Sequence, residues 1–158
     1  MSSKFVYVTY IRTTPDKLWE ALTTPEFTRL YFFDATFDGT WTKGSPWKMQ
    51  HPDGSVSDDG EVLESTPPAR LVLKWQNQFA GLKDEGPSRC TFDITPLGEQ
   101  TQLTVTHEMD RNDSKVIAAV SGGWPKILSS LKSYLETGKA LDTVKAAAKE
   151  REARVANG

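Results

Sequence analysis

The chain has 158 residues, of which 37% are apolar and 25% are charged, and its formal net charge is −2. This length and composition suit one globular domain whose core is large enough to fold without a metal or a disulfide. The charge gives no basic surface for nucleic acid, and no apolar run approaches the roughly 18 residues that a membrane span needs.

Cysteine and histidine usage limits the compartment and the chemistry. The single cysteine, Cys90, cannot form an internal disulfide, which favours a reducing compartment. The opening residues MSSKFVYVTY lack the basic segment and apolar stretch of a secretory signal. The two histidines and the cysteine do not have the spacing of metal ligands. We therefore expect a cytoplasmic protein with no metal, no cofactor, no nucleic-acid partner and no membrane partner.

The first part of the chain predicts one strand and two short helices. Residues 4–11 are rich in β-branched and aromatic side chains, which is typical of a strand. Thr14 and Thr24 can each cap a helix that begins with a proline, at Pro15 and Pro25.

Six more strands should follow, because the apolar period changes toward two from residue 33. Turn sequences such as KGS, PDG, TPPA and PLGEQ separate them. The predicted strands are 33–40, 46–51, 58–65, 69–77, 88–96 and 100–109. The longer segment NQFAGLKDEGP is predicted to be a mobile loop.

A long amphipathic helix is predicted within residues 111–138, with Gly138 suited to its end. Its apolar stripe recurs at spacings of three and four: Trp124, Ile127, Leu128, Leu131, Tyr134 and Leu135. Gly122, Gly123 and Pro125 interrupt its first half, where we expect a kink or the actual start of the helix.

The remaining residues, 140–158, are Ala-rich and charged, with a high helix propensity. The apolar face of this tail is thin, which favours a solvated helix. A helix that binds a partner or forms a dimer is the alternative. We therefore divide the chain into a domain at 1–139 and a helical tail at 140–158.

This order of elements predicts an α+β fold. Strands joined by short connections pair antiparallel, and the long helix is the element able to cover one face of their sheet. A curved sheet wrapped on one helix tends to leave an apolar cavity, and such cavities bind small ligands.

Five segments carry a family resemblance: YIRTTPDKLWEALTTPEFTRLYF, GTWTKGSPW, DGSVSDDGEVLESTPPARLVLKW, TQLTVTHE and GGWPKILSSLKSYLETG. In this order they resemble the Aha1 C-terminal-like (activator of Hsp90 ATPase homologue 1-like) proteins of the START/Bet v 1-like helix-grip (SRPBCC) superfamily, over about residues 4–139. The resemblance implies a seven-stranded curved antiparallel sheet wrapped on a long C-terminal helix, with two short helices between strands 1 and 2 and an internal apolar cavity. The chain differs from the Hsp90 co-chaperone in having no room for that protein's separate N-terminal domain.

Strand parity indicates which side chains should face the cavity. The candidate ligand-binding residues are aromatic, apart from one histidine and one leucine: Tyr31, Phe37, Trp41, Trp47, Trp75, Phe79, Phe92, His107, Trp124 and Leu128. For Trp41, Trp47 and Trp75, packing in the wall is an equal alternative, because walls and ligand contacts use the same residue types. Phe79 is a candidate lid residue.

His107 ends an inward row with Leu103 and Val105. The favoured interpretation is that this histidine belongs to the cavity wall and is hydrogen-bonded to a neighbour. The second interpretation is that it is a polar anchor for a ligand. A catalytic base is third, because no nucleophile or third group accompanies it in a recognisable motif. His51 lies beside a turn and is expected to be solvated.

These features favour a non-enzymatic protein that binds a small apolar or amphipathic molecule. One alternative is an enzyme acting on a polyketide-like or aromatic substrate, with His107 and Tyr31 as candidate acid or base groups. Another is a chaperone-associated interaction protein. Val6, Val8 and Tyr10 give the first strand an unusually apolar outer face, which suggests a homodimer contact or a covering by the tail.

Overall fold

A computed structural model of the chain describes residues 2–141, so most of the predicted tail lies outside the described residues. The elements in chain order are β1 (Ser3–Ile11), α1 (Pro15–Thr23), α2 (Pro25–Tyr31), β2 (Thr36–Gly39), β3 (Pro46–Gln50), β4 (Val56–Thr66), β5 (Arg70–Asn77), a 3₁₀ turn (Lys83–Glu85), β6 (Ser88–Leu97), β7 (Gln100–Met109) and α3 (Lys115–Thr137). The predicted strands are confirmed, with shifts at their ends.

The seven strands form one antiparallel sheet in the order β1-β7-β6-β5-β4-β3-β2. Strands β2 to β7 are therefore successive hairpins, and β1 joins the sheet beside β7. Register shifts at Met49/Gln50 and Val62/Glu64 break the pairing of β4 with each of its neighbours. Such irregularities bend a strand and increase the local twist. The predicted fold class, a curved sheet with a long C-terminal helix and two short helices after β1, is confirmed.

The two short helices begin at their prolines, as predicted. Thr14 caps α1, because its Oγ1 accepts a hydrogen bond from the Lys17 amide at 3.3 Å. Thr24 occupies the cap position of α2, but its side chain makes no capping bond. The reason is that Thr24 also ends α1, where its own amide donates to the Glu20 carbonyl.

The long helix α3 starts at Lys115, so the expected start near Gly122, Gly123 and Pro125 is wrong. Ser114 fixes the beginning, since its Oγ accepts from the Ile117 amide at 3.1 Å. Pro125 lies inside the helix, where it removes one backbone donor. The predicted end is confirmed at Gly138, which has a φ of 83°.

The core lies between the inner face of the sheet and α3. The inward rows predicted from parity are buried: Leu71, Leu73 and Trp75; Cys90, Phe92 and Ile94; Leu103, Val105 and His107. Helix α3 also covers the free edge of β1, because Lys132 Nζ donates to the Tyr10 carbonyl and the Arg12 amide donates to Glu136. Covering an edge in this way removes a template for unwanted strand pairing.

Candidate functional site

Aromatic rings of the protein itself fill most of the space between the sheet and α3. We call this group the aromatic cluster: Phe32, Phe37, Trp47, Trp75, Phe92 and Trp124. The ring centroids of Trp47 and Trp75 are 4.7 Å apart, and those of Trp75 and Trp124 are 5.8 Å apart. Phe32 extends the contacts to Phe37 at 4.8 Å and to Trp124 at 5.6 Å. These ring contacts therefore fill much of the interior, and open space remains at one end.

Trp47 reaches its place in the aromatic cluster by crossing a neighbouring strand at a glycine. Its Nε1 donates to the Lys74 carbonyl on β5, 3.1 Å away, across Gly60 of β4. A Cβ at position 60 would lie 1.8 Å from that carbonyl oxygen and 3.0 Å from the Trp47 Nε1. The close approach of the two groups therefore requires glycine.

His107 is completely bonded inside this core. Trp124 Nε1 donates to His107 Nδ1 at 3.1 Å, and His107 Nε2 lies 2.7 Å from Ser88 Oγ. An indole nitrogen can only donate, so Nδ1 accepts and the ring proton is on Nε2. Ser88 Oγ in turn donates to the Trp75 carbonyl at 3.2 Å. Burial lowers the pKa of His107 to about 4, which keeps the ring neutral.

A cavity of about 210 Å³ remains at one end of the interior. It lies between the first half of α3, the ends of strands β3 to β5 and the loop that follows β5. Helix α3 contributes Ala119, Val120, Gly123, Trp124 and Ile127. The turn after α2, the sheet and the loop contribute further apolar side chains: Phe32, Phe33, Met49, Trp75, Phe79 and Leu82. The polar lining residues are Ser57, Asp58 and Asn77.

Three of the residues predicted to contact a ligand line this cavity: Trp75, Phe79 and Trp124. Phe79 is 42% exposed and lines this cavity from the loop that follows β5. The other candidates are buried but do not line it: Tyr31, Phe37, Trp41, Trp47, Phe92, His107 and Leu128. Parity identified the inward face correctly, but it does not say which inward side chains meet each other and which meet open space.

Tyr31 is one of those buried residues. Its hydroxyl donates to the Ala21 carbonyl at 2.7 Å, which ties α2 to α1. Burial, with a smaller contribution from Tyr134, raises the pKa of this hydroxyl far above its usual range. The role that the structure gives Tyr31 is architectural.

The polar lining was not predicted, and its central residue is Asp58. This side chain is 6% exposed, and its Oδ2 accepts from Trp75 Nε1 at 2.6 Å. One signal could have found it, because parity counted back from the buried Val62 through Gly60 places residue 58 on the inner face. Asp58 is the one charged residue among the described residues that line the cavity.

The neighbours of Asp58 are also engaged in hydrogen bonds. Ser57 Oγ lies 2.7 Å from His51 Nε2, so His51 is half-buried and bonded, and the expectation of a solvated histidine is wrong. The cause is the bend of the chain after β3, which brings the turn back onto β4. Asn77 Oδ1 accepts from the Phe79 amide at 2.9 Å and so orients the start of the loop.

The far end of that loop is tied to α3 by Glu85. One carboxylate oxygen accepts from the Ser114 hydroxyl at 2.7 Å and from the Val116 amide at 3.1 Å, and the other accepts from the Lys115 amide at 2.8 Å. Desolvation opposes the charge, but these hydrogen bonds outweigh it and hold the pKa of Glu85 below its usual value. A carboxylate is also favoured at the positive end of a helix. The loop that carries Phe79 and Leu82 is thereby anchored beside the cavity.

Residues 2–141 offer neither a cluster of metal ligands nor a membrane-spanning helix. No three His, Cys, Asp or Glu side chains in this range come together in a way that could hold a metal ion. No helix in the same range has the length and apolarity to cross a bilayer.

The sequence matches one family model, described as activator of Hsp90 ATPase homolog 1-like protein, over residues 12–136. Among curated proteins, no sequence matches the chain.

Solved structures share the fold. The Aha1 dimer from Colwellia psychrerythraea superposes with a TM-score of 0.72 at 22% identity, covering 87% of this chain and 99% of that one. At this identity the likeness concerns the fold alone. Protein MLL2253 from Mesorhizobium loti has a TM-score of 0.73 at 27% identity, covering 84% and 96%. DynU16, from the dynemicin biosynthetic locus, has a TM-score of 0.73 at 26% identity; the match covers 87% of this chain but 48% of DynU16, about half its length.

Proposed function

The chain belongs to the activator of Hsp90 ATPase homolog 1-like family, and we propose that it binds a small apolar or amphipathic molecule in the cavity between the sheet and α3. The observation that carries this proposal is the composition of the wall, in which eleven apolar residues surround three polar ones. A mainly apolar wall with a few polar groups is typical of ligand sites. The cavity of about 210 Å³ is smaller than the roughly 300 Å³ at which drug-sized sites begin, so the ligand is about the size of a single ring.

Two glycines of α3 allow a matched test. Gly123 lines the cavity, and a Cβ there would meet only Ile127, at 3.9 Å. Gly122 is exposed, and a Cβ there would meet nothing within 4 Å. Gly123→Leu should therefore fill the cavity, whereas Gly122→Leu makes the same change of helix propensity at the surface.

The experiment is a titration of the full chain with benzyl alcohol, followed through the five tryptophan indole signals by NMR and through the melting temperature. We expect the wild type and Gly122→Leu to bind and to gain stability by mass action. Gly123→Leu should not bind. Equal binding by both variants, or no binding by the wild type at tens of millimolar, would count against the proposal.

Binding without catalysis is supported by the two residues that were candidates for acid or base chemistry. Both ring nitrogens of His107 are engaged, and the Tyr31 hydroxyl donates to a backbone carbonyl. Neither residue lines the cavity.

The family description supports a second candidate, a role as a chaperone-associated interaction protein. Fold and family alone are weak grounds for a partner. A pull-down with an Hsp90-type chaperone separates the two proposals, since the cavity-filling Gly123→Leu variant should lose the small ligand and keep a surface contact with a chaperone.

We also propose that the chain forms a homodimer in the cytoplasm. The outer face of β1 supports the dimer, because Val6, Val8 and Tyr10 are between 43% and 51% exposed, and one similar structure is described as an Aha1 dimer. The free, buried Cys90 supports the cytoplasmic location.

Sedimentation velocity tests the dimer. Val8→Lys should dissociate it, whereas Thr95→Lys, at an exposed position on β6, should leave it intact. A monomeric wild type would refute it.

A further inference from the structure

After α3 ends, the chain turns back along the same helix. The Lys139 carbonyl accepts a hydrogen bond from the Ser133 hydroxyl at 2.7 Å. Two residues later, the Leu141 amide donates to the Ser130 hydroxyl at 3.1 Å. Ala140, between them, packs against the core. The last described residues therefore run antiparallel to α3, from its end toward its beginning.

This return path leads toward the cavity. Ile127 lines the cavity and is three residues before Ser130, so it lies only about 4.5 Å along the helix axis from the level that Leu141 reaches. Gly123 and Ala119 also line the cavity, and they are seven and eleven residues before Ser130. Residues with these spacings share one face of a helix. The face that the returning chain follows therefore continues into the cavity wall.

The returning chain lies on a different side of α3 from the edge of β1. Lys132 and Glu136 make the hydrogen bonds to β1. Lys132 is two residues after Ser130, and residues two apart on a helix do not share a face. Leu141 therefore leaves the helix away from β1 and not toward the apolar outer face of that strand.

Part of the cavity wall is open to solvent. Five residues of this wall are exposed or half-buried, and none of them has a polar side chain: Phe79, Leu82, Ala119, Val120 and Gly123. We call these five residues the cavity mouth. Phe79 alone is 42% exposed. A continuous apolar surface of this kind marks a site of interaction.

Residues 142–158, which lie outside the described residues, have a sequence suited to cover this mouth. With the last described residue, their apolar side chains recur at spacings of three, four and seven: Leu141, Val144, Ala148 and Val155. These spacings predict one apolar face on a helix. Seventeen helical residues span about 25 Å, whereas Ala119 is about 17 Å along α3 from Ser130. The tail is therefore long enough to cross the mouth.

We infer that residues 142–158 fold back over the cavity mouth and pack their apolar face against it. The occupant of the mouth is the tail of the same chain, because Leu141 already lies beside the wall and the returning chain runs toward it. The inference goes beyond the proposed function, since such packing removes apolar surface from water whether or not the cavity holds a ligand. The tail then shields the cavity from solvent, and a ligand enters when the tail moves away.

A spin label on the tail of the full chain tests this inference. Glu150→Cys places a nitroxide two residues after Ala148, off the apolar face, and the native Cys90 is buried and does not react. Amide signals close to the nitroxide broaden in the NMR spectrum of the ¹⁵N-labelled protein. We expect broadening at Phe79, Val120 and Gly123, and none at the outward-facing residues of β1.

Two alanines of the tail allow a matched control. Ala148→Asp places a charge on the apolar face, whereas Ala146→Asp makes the same change of charge and helix propensity off that face. In the spin-labelled chain, Ala148→Asp should abolish the broadening at the mouth, and Ala146→Asp should keep it. Equal broadening in the two variants would overturn the packing through the apolar face.

A mixed sample identifies the chain that supplies the tail. Spin-labelled protein without ¹⁵N is added to ¹⁵N-labelled protein without a spin label. We expect no broadening at the mouth in this mixture. Broadening there would show that a second copy covers the mouth, and would overturn the inference. Broadening at Val6 and Val8 in the singly labelled chain, or at no defined surface, would overturn it as well.

Discussion

The indole nitrogen of Trp124 on α3 donates a hydrogen bond to Nδ1 of His107 on β7, 3.1 Å away in the middle of an apolar core. His107 is also bonded to Ser88, whose hydroxyl donates to the Trp75 carbonyl. A chain of hydrogen bonds therefore joins α3 to β5, and both elements line the cavity. Every member has a partner, which is the condition under which a buried polar network stabilises a fold and does not weaken it. The network fixes Trp75 and Trp124 where they line the cavity.

This network makes stability sensitive to acid. In the unfolded chain His107 takes up a proton near its usual pKa of 6.5, whereas in the folded protein its pKa is about 4. Between these values the unfolded state binds more protons, so the free energy of unfolding falls as the pH drops from 6.5 to 4. The loss from this residue approaches about 3 kcal/mol at the acid end of that range.

His107→Gln tests this account. The glutamine oxygen can accept from Trp124 and its amide can donate to Ser88, but the side chain does not titrate. Urea unfolding at about pH 4.5 and about pH 7 should show a smaller difference in the variant than in the wild type. An unchanged difference in His107→Gln would show that the acid sensitivity arises elsewhere.

Gly60 and Gly122 should respond oppositely to alanine. A Cβ at position 60 would lie 1.8 Å from the Lys74 carbonyl oxygen, so β4 or β5 must move and Trp47 with them. We expect Gly60→Ala to lower the free energy of unfolding by at least about 2 kcal/mol. In Gly122→Ala the new Cβ has open space around it and alanine favours the helix, so the free energy of unfolding should rise by up to about 1 kcal/mol. A neutral Gly60→Ala, measured by urea unfolding, would refute the close crossing of Trp47.

Trp41 and Trp47 form a second matched pair. Trp41 has a φ of 59°, which is uncommon for a bulky residue, and its buried Nε1 has no hydrogen-bond partner among the described residues. Trp47 Nε1 is bonded to Lys74. Replacement by phenylalanine should therefore cost roughly 1 kcal/mol more at position 47 than at position 41. Equal losses in urea unfolding would mean that the Trp47 hydrogen bond adds nothing beyond packing.

Glu85 should control the loop at the cavity mouth. Glu85→Ala removes the acceptor of the Lys115 and Val116 amides at the start of α3. These two amides should then exchange hydrogen faster, and the free energy of unfolding should fall by about 1 kcal/mol. Asp84→Ala, at the exposed neighbouring position, is the control and should change neither quantity. Unchanged exchange at Lys115 and Val116 in Glu85→Ala would show that other contacts hold the start of α3.

The sequence was a good guide wherever a local pattern decided the structure. Alternation placed the strands, and parity placed Trp75, Phe92 and His107 on the inner face. The predicted start of α3 was wrong, because glycine and proline favour a helix break when only the local sequence is considered. A local cap and one distant contact determine the outcome there: Ser114 accepts from the Ile117 amide, and Glu85, from a loop far away in sequence, accepts from the Lys115 amide.

The candidate site was harder to predict than the fold. A packed wall and an empty cavity use the same aromatic residues, so the sequence could not tell that Trp47 packs while Trp124 lines open space. The difference depends on long-range geometry, such as the crossing at Gly60. Asp58 was missed because the run SDDG resembles a solvated turn, and the indole that accounts for its burial lies on the next strand.

The central claim is that the cavity between the sheet and α3 binds a small molecule. The most direct test is to measure intermolecular nuclear Overhauser effects between benzyl alcohol and the assigned full chain. The account predicts contacts from the probe ring to Trp75, Phe79 and Trp124, all three lost in Gly123→Leu and kept in Gly122→Leu. Saturable contacts confined to the outer face of the sheet, or the same contacts in Gly123→Leu, would contradict it.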